Sequence, residues 1–420
     1  MESKPGRRFT NWIESYLEYT DDTEAPGNFH LWTALVTLAG AVQRKVWIDL
    51  GHFQWVPNLY VMLVGEPGIV TKSTSIRIGS NLLRGVKGYT RGPDSVTWQA
   101  LLDSFSEAMH SFKFDGGELV QAPLTLFVAE MGNFLDPSNR ESMDLLTDMW
   151  DGQATTFTRR TRGSGESTLQ SPWLNFIACT TPTWIQNNFS SDLVGGGFAS
   201  RLIVVYGEKK KRLIAYPGIS SGGLKSEMEA ALISDLQHIA RLVGPMTISR
   251  EPESLVLRNS DGVEEEKHYP GGALQWGEEW YAQLQAGLGK EIISRRASGY
   301  YARKQTHLHK IAMLIALSQR DDLILKLEDL KAANDVLVYV ERDIMRVLSN
   351  VTNRQLAAKN MMEVMALLKS GQKITEGDLY SHLWSFMSKK DLDDALSNLQ
   401  AAKKIQTYAM GGKAYLRLTK

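Results

Sequence analysis

Four runs of uninterrupted apolar character punctuate the first half of the chain: Leu59 to Val64, "LTLFVAE" (Leu124 to Glu130), "WLNFIACTT" (Trp173 to Thr181) and "RLIVVYG" (Arg201 to Gly207). Continuous rather than alternating apolar patterns predict strands covered on both faces, the texture of a largely parallel sheet. Helix-period stretches lie between them, including one from about Ser73 to Arg84 directly after the first run. Ahead of it, "NFHLWTALVTLAGAVQRKVWIDL" spaces Leu31, Leu35, Leu38, Ala39 and Val42 by threes and fours, which predicts a helix with a buried face. Strands alternating with helices predict an α/β fold.

The texture changes after "GEKKKRLIAYPGISSGG", and from Leu224 to Val347 the chain is mostly helix-patterned. Its clearest helix is "QTHLHKIAMLIALSQ", with Leu308, Ile311, Ala312 and Ile315 on one side. The polar stretch "SREPESLVLRNSDGVEEEKHYPGG" reads as an irregular surface excursion. From Asn353 a helix (Leu356 to Lys369) precedes a second capped by Thr375 and a third opened by a Ser388/Asp391 capping box. "KIQTYAM" and "KAYLRLT" then alternate around two glycines, so three helices and a hairpin predict a winged helix. The expected divisions are an N-terminal helical segment (1–55), an α/β core (56–215), a helical lid (216–350) and the winged helix (351–420).

Composition adds limits. With 420 residues, 43% of them apolar, the chain can bury a large core. Forty-seven basic residues balance forty-seven acidic ones, so any nucleic-acid contact must come from local clusters. The lone Cys179 cannot form an internal disulfide, and no His/Cys spacing suits zinc. The N-terminus lacks a signal-peptide core and no long apolar run occurs, so a cytoplasmic protein with no membrane contact is expected.

The candidate chemistry begins with "GEPGIVTKST", Gly65 to Thr74, between a strand and a helix. In a phosphate-binding loop, helix N–H groups and a lysine cradle phosphates while a Ser or Thr holds magnesium. Lys72, Ser73 and Thr74 stand where that chemistry needs them, but Thr71 replaces the usual last glycine, and three residues rather than two separate Gly68 from the lysine. A tight turn with a surface lysine gives the same string. Glu130 ends the second apolar run, where a carboxylate can orient a water, with Ala129 in place of a second acid. Thr180 and Thr181 end the third run, and Arg201 opens the fourth. Taken alone, Glu130 also reads as a strand-end carboxylate in a surface turn, the threonines would more often cap a turn, and Arg201 would more often form a salt bridge.

In that order, "PNLYVMLVGEPGIVTKST", "GPDSVTWQALL", "LFVAEMGNFL", "NFIACTTPTWI" and "GGGFASRLIVVY" resemble the replicative helicase-like ATPases of phages and mobile elements. These are primase-associated members of the AAA+ class, related in layout to superfamily 3 and minichromosome-maintenance helicases. The resemblance implies a P-loop core binding ATP and Mg2+ through Gly65, Gly68, Thr71, Lys72, Ser73 and Thr74, with Ser73 and Glu130 near the metal. It further implies Glu130 as catalytic base, Thr180 or Thr181 as the polar sensor beside the γ-phosphate, Arg201 as an arginine finger for a neighbouring subunit and Arg303 as a lid arginine.

The resemblance also implies a channel hairpin that grips DNA. "TTFTRRTRGSGESTLQSP" supplies two β-prone arms around "GSG", with Arg159, Arg160 and Arg162 near the tip. Basic tips make sequence-independent phosphate contacts, although a solvated surface hairpin reads the same way. The tail is locally basic but interrupted by Asp391, Asp393 and Asp394, which leaves DNA binding and partner docking both open. The expected function is an ATP-dependent hexameric DNA helicase or translocase, with single-stranded DNA and a primase or other replication proteins as partners, in a bacterial host cell. The alternative is a weakly hydrolysing or non-hydrolysing assembly or loader module, motivated by Thr71 and Ala129.

Overall fold

The computed structural model describes residues 6–90, 92–93, 98–137, 139–153, 156–161, 165–189, 197–216, 222–258, 264–288, 298–368, 374–384, 387–410 and 413–419. It is a mixed α/β protein, about half helical, in two compact units, Met1–Arg346 and Val347–Lys420.

In the first unit, α1 (Trp12–Tyr19) and α2 (Gly27–Val42) lead through β1 (Val46–Asp49) and β2 (Gln54–Trp55) to β3 (Tyr60–Val64). Helices α3 (Lys72–Arg84) and α4 (Trp98–Glu107) follow, then β4 (His110–Phe114) and β5 (Gly117–Val128), α5 (Arg140–Asp151), β6 (Thr156–Thr161), β7 (Gly165–Gln170), β8 (Pro172–Thr180), α6 (Pro182–Asn188) and β9 (Leu202–Tyr206). The central sheet has the order β4-β5-β8-β3-β9, with β5, β8, β3 and β9 parallel. Strand β4 is antiparallel to β5 across the turn at Asp115 and Gly116, so β5 starts seven residues before the predicted Leu124. The Asp-Gly pair marks such a turn.

Helices cover both faces. Asn175 of β8 donates to the Val36 carbonyl of α2 at 2.9 Å. Its neighbour Phe176 stacks on Tyr60, whose hydroxyl donates to the Leu146 carbonyl of α5 at 2.8 Å. Because strand side chains alternate faces, α2 and α5 lie on opposite sides of the sheet. Helix α2 has little exposed face at all: every residue from Trp32 to Val42 is buried, Leu31 alone among the predicted apolar set being half-buried. A helix apolar all round belongs in a core.

Beyond β9, the unit continues with helices Gly222–Ile239, Gly272–Leu288 and Ser298–Gln319 and the first part of Leu327–Leu368. Short strands β10 (Gly244–Pro245) and β11 (Thr247–Ile248) pair with β1 and with β14 (Ile324–Leu325). The stretch expected to be irregular is an antiparallel hairpin, β12 (Glu253–Arg258) and β13 (Glu264–Tyr269). Its run of glutamates lowers strand propensity, and pairing overrides it. Arg7 is buried and donates to the Leu317 and Arg320 carbonyls at 2.8 and 2.9 Å, holding the chain's start against the end of helix Ser298–Gln319.

The second unit contains the end of helix Leu327–Leu368, helices Glu376–Leu383 and Lys389–Ala401, and the hairpin β15 (Ile405–Met410) with β16 (Lys413–Leu418). The predicted helix from Leu356 is the last part of the longer Leu327–Leu368. Thr375 and Ser388 both form complete capping boxes, with Asp378 and Asp391 as partners. The core is built on Val364, Leu379, Leu392, Leu396, Ile405 and Leu416, and Ile374 bridges to Leu416 beside the hairpin. The two-glycine turn lies outside the described residues. Among the described residues, no helix is long and apolar enough to cross a membrane.

Candidate functional site

The parallel register brings the strand ends level. Val64 pairs with Thr180 and with Tyr206, and Val128 pairs with Ala178, so Glu130 and Thr180 come to the same height beside the loop after β3. In open α/β sheets, ligands bind outside the carboxyl ends of the strands where the chain reverses its strand order. That reversal occurs here, since β3 is flanked by β8 and β9 and the chain visits β5 first.

The loop's conformation accounts for its unusual spelling. A Cβ on Gly65 would fall 2.4 Å from Val70 Cγ2 and 3.0 Å from the Gly207 carbonyl oxygen, so this position admits only glycine without movement. Gly68 takes the left-handed turn at φ +73°. Thr71 then sits at φ −88° and ψ 58°, an inverse γ-turn closed by the Lys72 N–H donating to the Val70 carbonyl at 3.0 Å, so this position needs no positive φ and no glycine. Val70 is buried beneath Gly65, and the extra residue is absorbed there.

Lys72 opens α3 and folds back over the loop, its ammonium donating to the Gly65 carbonyl at 2.6 Å and the Glu66 carbonyl at 3.4 Å. Burial lowers the Lys72 pKa, while Cys179, Glu130 and Glu66 act in the opposite sense, so this lysine feels the Glu130 carboxylate electrostatically. Ser73 and Thr74 are exposed at the helix start, where the first-turn N–H groups have no partner within the helix and the dipole is positive. Two buried hydroxyl oxygens, Thr71 Oγ1 and Thr180 Oγ1, have no hydrogen-bond partner. Thr181 Oγ1 instead accepts from the Trp184 N–H at 3.1 Å and caps α6. Ala129 and Glu130 are both exposed at the end of β5. Cys179 is buried within β8, and burial raises its thiol pKa to about 12.

Arg201 lies at the other edge of the sheet. Leu202 pairs with Tyr60 at the start of β3, which puts Arg201 roughly 20 Å from the loop along the strands. It is 3% exposed and donates to Asp151 at 2.5 and 3.3 Å and to the Gly197 carbonyl at 2.6 Å. Arg303 stands 3.9 Å from the same carboxylate, so it accompanies Arg201 rather than Lys72.

Behind this pair is a buried polar group that the sequence reading passed over. Lys310 donates to Asn58 Oδ1 and, at 2.8 Å, to the Trp150 carbonyl, with its amine 4.2 Å from the Trp150 ring. Burial holds its pKa well below the ordinary lysine value. His307 donates from Nε2 to the Ser200 carbonyl at 3.1 Å, and burial lowers its pKa to about 3. The sequence hint is His307, His309 and Lys310 inside "HLHKIAMLIAL", three polar residues in a helix that is buried on both sides.

The expected hairpin is present as β6 and β7, with Arg159 paired through the backbone to Ser167 and Arg160 to Glu166. Leu169 anchors it in the core, and Arg162 lies outside the described residues. In the second unit, Lys389 bonds to Glu376 and lies 3.1 Å from Asp393, so its charge is already partnered. Comparison with protein-family profiles gives no match, and comparison with curated proteins gives none either.

Proposed function

We propose that this protein is an ATP-dependent DNA helicase or translocase that works as a homo-hexamer, with a P-loop core, a helical lid and a C-terminal winged helix. The observation that carries this reading is the division of charged groups between two edges of one sheet. Lys72, Ser73, Glu130 and Thr180 gather at one edge, and Arg201 with Arg303 occupies the other, too far away to serve the same loop. Arginines so placed would complete a phosphate site only when a second copy presents its loop, with the 42%-exposed Arg303 reaching it directly and Arg201, 3% exposed, exchanging its Asp151 partner for the phosphate.

The loop suits a nucleoside triphosphate. Its glycine at the closest approach, the first-turn N–H groups and the folded-back Lys72 form a cradle for phosphate oxygens, and the Thr71 and Thr180 hydroxyls offer unsatisfied polar atoms. Among the described residues, no cluster of three or more His, Cys, Asp or Glu could hold a metal, so Mg2+ would depend on Ser73, Glu130 and the nucleotide's own oxygens. A bound metal nucleotide supplies a polarised terminal phosphate. Lys72 then neutralises phosphate charge, Glu130 orients and deprotonates the attacking water, and Thr180 fixes that water's second hydrogen bond. The β6–β7 hairpin with Arg159, Arg160 and Arg162 would carry single-stranded DNA, and the winged helix would dock DNA or a replication partner such as a primase.

The second reading, an assembly or loader module that binds nucleotide without turning it over, is favoured by Ala129, which leaves Glu130 as the only acid at the end of β5. Hydrolysis of ATP with and without single-stranded DNA, in wild type and Lys72→Ala, separates the two. DNA-stimulated turnover abolished by the substitution supports the helicase. Turnover equal in both proteins removes the site from the mechanism, and a silent wild type supports the loader.

A further inference from the structure

The β15–β16 hairpin of the second unit has two chemically different faces. Its register pairs Ile405 with Leu418, Thr407 with Leu416 and Ala409 with Ala414. This set turns toward the helices: Ile405, Leu416 and Leu418 pack in or against the core, and Thr407 Oγ1 accepts from Gln400 of helix Lys389–Ala401 at 3.2 Å. Strand side chains alternate, so Gln406, Tyr408 and Met410 of β15 share the opposite face with Tyr415 and Arg417 of β16. Lys404 extends that face, since its carbonyl accepts from the Thr419 N–H at 2.9 Å in the same register. None of these residues belongs to the unit's core.

The outer face is flat, aromatic and basic. Tyr408 and Tyr415 oppose each other directly across the strands and are half-buried, their rings stacked with centroids 5.8 Å apart at 29°. The Arg417 guanidinium lies over the Tyr408 ring, 5.2 Å from its centroid, and Lys404, Gln406 and Arg417 are exposed. Both charged side chains described on this face, Lys404 and Arg417, are cations. Acids fall on the other side, where Glu376 and Asp393 line a depression with Thr407, Ala414 and Leu416.

We infer that this outer face binds single-stranded DNA, with bases stacking along Arg417, Tyr408 and Tyr415 and with Lys404 and Arg417 taking phosphates. Unpaired bases stack on aromatic rings and guanidinium planes, and cations alongside track the backbone. A duplex keeps its base planes stacked inside. The helix that would enter a duplex groove, Lys389–Ala401, opens on a lysine already held by Glu376 and Asp393. The inference deepens the helicase reading by giving the winged helix its ligand, and it rests on that reading for the choice of DNA over RNA. It owes nothing to the phosphate loop.

The test is a fluorescence-anisotropy titration of the full chain, without nucleotide, against labelled oligodeoxythymidylate, oligouridylate and duplex DNA of about 15 nucleotides. Wild type should bind the single-stranded DNA more tightly than the duplex. Tyr408→Leu/Tyr415→Leu should weaken that binding about tenfold or more, whereas Tyr408→Phe/Tyr415→Phe, which keeps both ring faces, should match wild type. Arg417→Gln should flatten the slope of log affinity against log salt by about 0.7. Because Arg417 is exposed, this slope still tests the face should the leucine pair fail to fold. A leucine pair that binds like wild type, a phenylalanine pair as weak as the leucine pair, an unchanged salt slope, or duplex bound more tightly than the single strand overturns the inference. In each case DNA-stimulated ATP turnover, lost or kept in Lys72→Ala, reports separately on the phosphate loop. Oligouridylate bound tenfold more tightly than oligodeoxythymidylate overturns the choice of DNA.

Discussion

Replacing Asp151 with alanine isolates the interaction that fixes Arg201. The guanidinium is 3% exposed and, among the described residues, meets the Asp151 carboxylate at 2.5 and 3.3 Å, the Gly197 carbonyl at 2.6 Å, and the Trp150 ring at 5.5 Å. Asp151→Ala leaves a carbonyl and a ring to hold a buried positive charge. Breaking a buried pair from one side costs about 3–5 kcal/mol. The Asp151 side chain is 30% exposed, so water can partly replace it and the lower end, about 3 kcal/mol, is expected. With a urea dependence near 3 kcal/mol per molar, the midpoint should fall by about 1 M, read by tryptophan fluorescence. The double variant Asp151→Ala/Arg201→Met should recover most of the loss, because it removes the stranded charge as well. A single-variant shift below about 0.5 kcal/mol, or a double variant no better than the single, would refute the reasoning.

Three further outcomes follow from the packing and the titrating groups. Gly79→Ala should destabilise by about 1 kcal/mol or more despite better helix propensity, because its Cβ would meet Thr33 Cγ2 and Thr37 Oγ1 at 2.5 Å; an unchanged urea midpoint would contradict this. His30, His307 and His309 have pKa values lowered by burial to about 4, 3 and 4. The unfolded chain therefore binds more protons as pH falls below about 6.5, and stability present above that pH should be lost toward pH 4, by up to about 1.4 kcal/mol per pH unit for each histidine. Urea midpoints that stay flat between pH 7.5 and 5 would exclude it. Ser388→Ala should cost the second unit about 1 kcal/mol by removing its cap, seen as a lower melting temperature of that unit alone.

Much of this architecture is legible in the sequence where one physical signal dominates. The apolar runs mark β3, β8 and β9 to within a residue, because parallel strands covered on both faces are almost continuously apolar, Asn175 of β8 being buried with its amide bonded to the Val36 carbonyl. Thr375 and Ser388 are readable because a capping box is local chemistry. The glutamate-rich β12–β13 hairpin is not readable, since its pairing comes from its neighbours rather than from its own residues. The site divides in the same way. Lys72, Glu130 and Thr180 can be placed by strand ends, whereas the sharing of Asp151 by Arg201 and Arg303 depends on three segments far apart in sequence.

Mixing two inactive variants tests the shared site most directly. Lys72→Ala lacks the loop lysine but keeps Arg201, and Arg201→Met keeps the loop but lacks the arginine. If phosphate is held between copies, each variant alone should lose DNA-stimulated ATP hydrolysis and an equimolar mixture should regain a measurable fraction of it. Wild-type turnover by Arg201→Met alone, or a mixture as silent as its components, would contradict the account.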